Sequence, residues 1–213
     1  MHDAPSPAPA VRGPRTAGAR NLSNSYVMDV FEAIRARRSV KRFLPRPLRR
    51  DEIEALLDVA VHAPNHRMTE PWGFLVFGDE AKRAYATVLG GRKARRVEDP
   101  DAAAAVREKV LREILAVPAI VAVTTRLDEN PEIREEDYAA TYMGVQNLLL
   151  AATARGLGTH LKTGAVMDDP ELRRALGIED DRRIVAIVYI GEAEEVPPPR
   201  PRTPAAEKTR WLP

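Results

Sequence analysis

The chain has no cysteine among its 213 residues. That excludes disulfides, thiolate metal sites and a cysteine nucleophile. Aromatic residues make up only 5% of it, and too few lie near the cations to build a base-stacking surface, so nucleic acid is not an expected partner. No apolar run approaches the roughly 20 residues that cross a bilayer, which removes the membrane as well. Net charge is also small: 33 Lys and Arg stand against 31 Asp and Glu, for a formal +2. The basic isoelectric point, about 9.0, reflects an excess of base that lies mainly before residue 51. What remains is a globular chain of ordinary apolar content, long enough for one substantial core. A reducing cytoplasm suits its composition.

Residues 1–25 are rich in Pro, Ala, Gly, Ser and Arg and show no hydrophobic periodicity. They predict a disordered extension ahead of a domain at 26–213, and they lack the apolar stretch of a secretory signal. Helices are predicted at 28–37, with Val30, Phe31 and Ile34 on one face, and at 51–63, with acids in its first turn and Pro64 to stop it. Further helices are expected at about 79–89, 100–116, 134–155 and 169–176. The helix at 134–155 is apolar nearly all round, which implies burial on several sides, with a second subunit as one candidate cover. Gly156 reads as its C-cap. Strands are predicted at 73–77, 119–124 and 184–190, where β-branched residues dominate. From Val196 the tail is proline-rich and extended. Many helices, few strands and no regular βαβ alternation make the class α+β.

Three segments could carry chemistry. In Arg37-Arg38-Ser39-Val40-Lys41-Arg42-Phe43, four cations and a hydroxyl fall on a short stretch after a helix. Arg supplies a planar fork and Lys a point charge, the usual means of holding a phosphate; a solvated basic face is the alternative. Ala63-Pro64-Asn65-His66-Arg67-Met68-Thr69-Glu70-Pro71-Trp72 holds polar groups between prolines ahead of a strand. His62 and His66 have the four-residue spacing of a metal pair, but Pro64 breaks the helix face between them and no third ligand is evident. The alternative is a loop that packs its Trp into the core. Gly156-Leu157-Gly158-Thr159-His160-Leu161-Lys162-Thr163-Gly164 lets backbone approach a flat or anionic ligand, with Lys162 and Thr163 as cation and donor. It is no dinucleotide fingerprint, because its glycines close a helix where that motif needs a strand before and a helix after.

In order and at this spacing, the three segments, with Asn147 and a closing strand that ends at Gly191, resemble the FMN-dependent nitroreductase family, and within it the small bacterial branch typified by YdjA. The likeness covers about Met28 to Gly191. It implies a mostly antiparallel central sheet flanked by helices, an intertwined homodimer, and FMN at the interface with NADH or NADPH as electron donor. Arg37, Arg38 and Ser39 match residues that hold the flavin's phosphate, ribityl chain and ring edge, and Lys41 a position near its pyrimidine end. His62 and His66 match positions from which the partner subunit completes the pocket. Leu161, Lys162 and Thr163 match the segment on the flavin's other side, and Arg200 and Arg202 a basic pair that contacts phosphate in other branches. The resemblance leaves no side chain as obligatory base or nucleophile. It implies ping-pong hydride transfer through flavin N5 to a small-molecule acceptor such as a nitroaromatic or quinone, with the helix at 100–116 as a lid. Glu70 stands where many members have Gln and is expected to point away from the ring or to pair with Arg67; Leu161 replaces a Trp. The alternatives are the same fold with other flavin chemistry, such as dehalogenation or flavin destruction, or an anion- or nucleic-acid-binding module.

Overall fold

The computed structural model describes residues 28–213, so the extension expected at 1–25 and the start of the domain at 26 lie outside the described residues. Helix α1 (Val30–Ala36) opens with a reciprocal cap, in which Asp29 accepts from the Glu32 N–H and Glu32 accepts from the Asp29 N–H. Helix α2 spans Arg50–Ala60, β1 Trp72–Val76, α3 Asp79–Ala94, α4 Pro100–Leu115, β2 Ala119–Arg126 and α5 Pro131–Ala154. Strand β3 (Gly158–Lys162), α6 (Pro170–Ala175) and β4 (Arg182–Gly191) complete the domain. Single 3-10 turns lie at His66–Met68 and Ala205–Lys208.

Three helices start with one local device. Asp99, Asn130 and Asp169 each accept a backbone N–H of the first turn, and each is followed by proline at the first helical position. Proline there has no N–H to leave unsatisfied, and its φ already suits a helix. Gly156 closes α5 at φ 75°, and the Leu157 N–H donates back to the Ala152 carbonyl at 2.9 Å.

The strands form one sheet in the order β1-β2-β4-β3, antiparallel at every pairing. Both faces are covered, which is why β2 and β4 read as continuous apolar runs rather than alternating ones. On one face Ile53, Leu56 and Ala60 of α2 and Val145, Leu148, Leu149 and Ala152 of α5 pack on Val121, Val123 and Val188. On the other, Tyr85 and Val88 of α3, Val110 and Ile114 of α4 and Leu172 of α6 pack on Ile120, Ile184 and Ile187.

The sequence-based expectations hold for all six helices and for β1, β2 and β4, with ends shifted by a few residues. Two differences bear on function. The glycine-bearing stretch after α5, read as a loop, contains β3, a short edge strand paired along its length with β4. The apolar face of α1 is left uncovered among the described residues: Val30, Phe31 and Ile34 are 59%, 65% and 51% exposed, and of this helix only Ala33 is buried.

Candidate functional site

The basic stretch after α1 is docked on the sheet edge at two points. Ser39 forms a bridge with Thr159 of β3, and the Val40 N–H donates to the Thr159 carbonyl at 2.8 Å. Val40 is buried against Gly158, where any Cβ would meet its Cγ2 at 2.7 Å. Three residues on, Phe43 bridges Ala193 and lies against Gly191, where an added Cβ would meet the Phe43 ring at 3.1 Å. Two bare glycine backbones therefore seat two apolar side chains, and the stretch between them is held in one shape. Val40 is buried and Phe43 half-buried, while Ser39, Lys41 and Arg42 are exposed and Arg37 and Arg38 half-exposed.

These cations open onto a cavity of about 1050 Å³ lined by Arg37, Arg38, Ser39 and Lys41 together with Arg200 and Arg202 of the tail. The tail is tied down where it leaves β4. Arg42 pairs with Glu194 at 3.4 Å and with Glu195, and Arg46 with Glu192 at 2.5 Å and Glu52 at 3.2 Å. Pro197, Pro198 and Pro199 then keep it extended along the cavity wall, which brings Arg200 and Arg202 to the site of Arg37 although 163 residues separate Arg37 from Arg200. Gln146 of α5 and Glu195 also line the cavity and went unnamed in the sequence reading. Gln146 left one signal there, a polar residue interrupting the apolar surface of α5.

The cations differ in what else engages them. Arg38 donates to the carbonyls of Arg35 and Arg37 at 2.5 and 3.0 Å, closing the end of α1. Arg42 is held by its two glutamates. Arg37, Lys41, Arg200 and Arg202 make no ion pair or side-chain hydrogen bond among the described residues. The cavity thus presents donors whose charge is not already spent among the described residues.

The remaining predicted residues are not on this wall. Leu161 packs against the core beneath α2 and α5, and Thr163 is exposed just beyond β3. Lys162 faces the other side of the sheet, 5.7 Å above the Tyr189 ring. Burial, then the nearby Lys93 and Lys41, pushes its pKa down, so it belongs to the same positive region as Lys41. His160, two residues earlier on that face, is lowered as well, chiefly by burial. His62 is exposed just after α2, and His66 sits on the loop before β1, its Nδ1 2.9 Å from Glu136 of α5. Of the two expectations for Glu70, pairing with Arg67 is corrected: Arg67 pairs with Glu132 at 3.1 Å and Glu136 at 3.2 Å, because α5 passes directly beneath the loop, and Glu70 is left exposed. Nor does α4 lie over the cavity as a lid. Its apolar residues are sealed against α3 and the sheet, and none of its residues lines the cavity.

A sequence model of the nitroreductase family matches residues 34–192. YfhC of Bacillus subtilis (strain 168), named an NAD(P)H nitroreductase, is 33% identical over 177 residues, spanning 83% of this chain and 91% of that protein. Its counterpart YdjA of Escherichia coli (strain K12) is 27% identical over 182 residues, spanning 82% of this chain and 97% of its own length, so the likeness does not single out the YdjA branch. A nitroreductase-like family protein from Bacillus cereus superposes with a TM-score of 0.78 at 31% identity, covering 90% of this chain and 99% of that one. The FMN- and NADPH-dependent nitroreductase NfnB of Sphigopyxis sp. strain HMH shares the fold, with a TM-score of 0.69 at 20% identity over 86% of this chain and 99% of its own.

Proposed function

The chain belongs to the nitroreductase family, and on that premise we propose that it passes electrons from NADH or NADPH to nitroaromatic, quinone or other electron-poor acceptors at a site shared by two copies of itself. It is an NAD(P)H-dependent flavin oxidoreductase with FMN as its cofactor. The observation that carries the reading is the convergence of Arg37, Ser39, Lys41, Arg200 and Arg202 on one cavity. A donor set of guanidinium forks, a hydroxyl and an ammonium fits a phosphate dianion on a polar chain.

In this reading Arg37, Arg200 and Arg202 grip the phosphate. Arg38 and Ser39 hold the ribityl chain and ring edge, and Lys41 with Lys162 makes the pyrimidine end positive. Leu161 and Thr163 border the other side, and His62 and His66 are supplied by the second copy. The exposed apolar face of α1, with Met143 of α5 and Met68 of the loop also exposed, supports a homodimer, since large apolar residues left open to solvent mark an interface. The chemistry FMN supplies when bound is hydride acceptance at N5 and delivery to a second substrate that follows the nicotinamide into the same pocket, which makes the kinetics ping-pong. The protein's own part is to bind, orient and polarise; no side chain is assigned a covalent role. No helix among the described residues is long and apolar enough to cross a membrane, and a cytoplasmic enzyme is part of the proposal.

Purified protein should be yellow, with flavin absorbance, and should oxidise NADH or NADPH when menadione or a nitrofuran is added. A yellow protein without turnover would favour other flavin chemistry on this fold; a colourless protein with salt-sensitive DNA binding would replace the reading by the binding module.

Two outcomes follow from the proposed site. Gly158→Val should displace Val40 and the basic stretch with it, lowering FMN affinity by about tenfold, as a small misplacement of binding groups does. A flavin titration that gives the wild-type Kd would separate the glycine seat from the site. Deleting residues 1–25 should leave FMN content and turnover at wild-type values, and loss of either on truncation would give that segment a role.

A further inference from the structure

The loop Asn65–Glu70 holds a backbone that ordinary side chains avoid. Arg67, Met68 and Glu70 have φ values of 66°, 51° and 44°, all in the left-handed region, and none is glycine. Such a conformation persists only where the surroundings over-determine it. Within the loop, Asn65 is the hub. Its Oδ1 accepts the Glu70 N–H at 2.7 Å, and its Nδ2 donates to the His66 carbonyl at 3.2 Å and to Thr69 Oγ1 at 3.1 Å.

Below the loop lies α5, which offers three carboxylates. Glu132 and Glu136 meet Arg67 and His66 at the surface, where ion pairs contribute little. Asp137 is different. It is 1% exposed, its Oδ1 accepts from the Thr69 hydroxyl, and its Oδ2 has no partner, the one such buried side-chain atom among the described residues. Its position is fixed from behind: the Thr141 hydroxyl donates to the Asp137 carbonyl at 2.8 Å and accepts from the Thr125 hydroxyl of β2 at 3.1 Å. A buried carboxylate with an unpaired oxygen is a standing cost that the packing of α5 does not call for. It is offset by what the carboxylate holds, and among the described residues the only side chain it holds is Thr69.

We propose that Asp137 is a positioning residue for the cofactor site. Its buried carboxylate grips Thr69 and, through Thr69 and Asn65, locks the 65–70 loop in its left-handed form, so that His66 and Met68 are presented to the second copy's FMN. Met68 is 76% exposed, and the His66 ring, 2.9 Å from Glu136, is itself largely exposed. The inference rests on the function proposed above, in which this loop is what one copy lends to the other.

The test is a titration of flavin-stripped protein with FMN, followed by the quenching of flavin fluorescence. Thr69→Val removes the donor at nearly constant shape, and Thr69→Ser keeps it. Because Thr69→Val leaves the carboxylate wholly unpaired and threatens folding, the double variant Thr69→Val/Asp137→Leu replaces both partners by apolar groups, which a fold tolerates far better. The Val variants are expected to raise the FMN Kd at least tenfold and the KM for the nicotinamide donor with it. Far-UV circular dichroism and dimer mass should stay unchanged, and the Ser variant should fall within twofold of wild type. A folded, dimeric double variant with the wild-type Kd overturns the inference and leaves the functional reading standing. So does a lowered melting temperature in every variant with no change in Kd, the mark of a purely structural role. Wild-type protein that takes up no FMN overturns the functional reading, and the inference with it.

Discussion

Alanine in place of Arg37 is expected to leave the protein colourless after purification. Four cations crowd this stretch, and charge counting alone would let any of them substitute for another. The structure separates them. Arg42 is committed to Glu194 and Glu195, and Arg38 is turned onto the carbonyls that end α1. Arg37 lines the cavity with no internal partner among the described residues, so its fork is available to a ligand. A hydrogen bond to a charged group is worth about 1.5–3 kcal/mol, or roughly ten- to 150-fold in Kd. Arg37→Lys should recover part of the loss, since it keeps a charge and forfeits the paired geometry. Arg38→Ala should loosen both the end of α1 and the hold on the ribityl chain, with a smaller loss of FMN affinity than Arg37→Ala. Flavin absorbance per protein, followed by titration at two salt concentrations, checks all three; the Arg37 deficit should narrow as salt screens the exposed site. Full flavin occupancy in Arg37→Ala would take the phosphate away from this residue.

What could be read from the chain, and what could not, divides along physical lines. Strands β2 and β4 announce themselves because both faces of their central runs, 119–125 and 184–190, are buried and filled by apolar or β-branched residues. Strand β3 does not. It is five residues long, begins at a glycine and ends at a lysine, and its strand character comes from pairing with β4 rather than from its own side chains. The apolar pattern of α5 points to a start at 134, three residues late, because it begins after an acidic first turn. The stronger local signal was the Asn130-Pro131 pair, the same cap that opens α4 and α6. At the site, the basic stretch was legible as charge concentrated on a short segment. That Arg200 and Arg202 join it was supplied only by the resemblance, for no local pattern reports that glutamates 192, 194 and 195 anchor the tail to Arg42 and Arg46. The contact between Thr69 and Asp137, 68 residues apart, leaves no trace in the sequence at all.

The largest expected loss of stability is at Gly144, and a second helical glycine supplies its control. On general propensity, replacing a mid-helix glycine by alanine stabilises a helix by about 1 kcal/mol. Gly91 of α3 has nothing within 4 Å of where a Cβ would stand, so Gly91→Ala should raise the melting temperature by a few degrees. Gly144 lies where α5 crosses α2, and a Cβ there would come within 2.9 Å of the Ala60 carbonyl oxygen. That neighbour is backbone of a packed helix with Leu56 and Ala60 fully buried, so it cannot swing aside as a side-chain tip would. Gly144→Ala should therefore lose its propensity gain to the clash. Gly144→Val, bulkier and less suited to a helix, should destabilise by about 2–3 kcal/mol, the upper part of the usual overpacking range, or roughly 5–10 °C for a chain of this size. The consequence reaches function, because α2 runs directly into His62 and the loop that carries His66. If α2 is pushed outward, FMN affinity should fall in the folded fraction of Gly144→Val while Gly91→Ala leaves it unchanged. Thermal melts and flavin titrations of the two variants decide the matter: two glycines that respond alike would mean that the α2–α5 crossing is not what positions the loop.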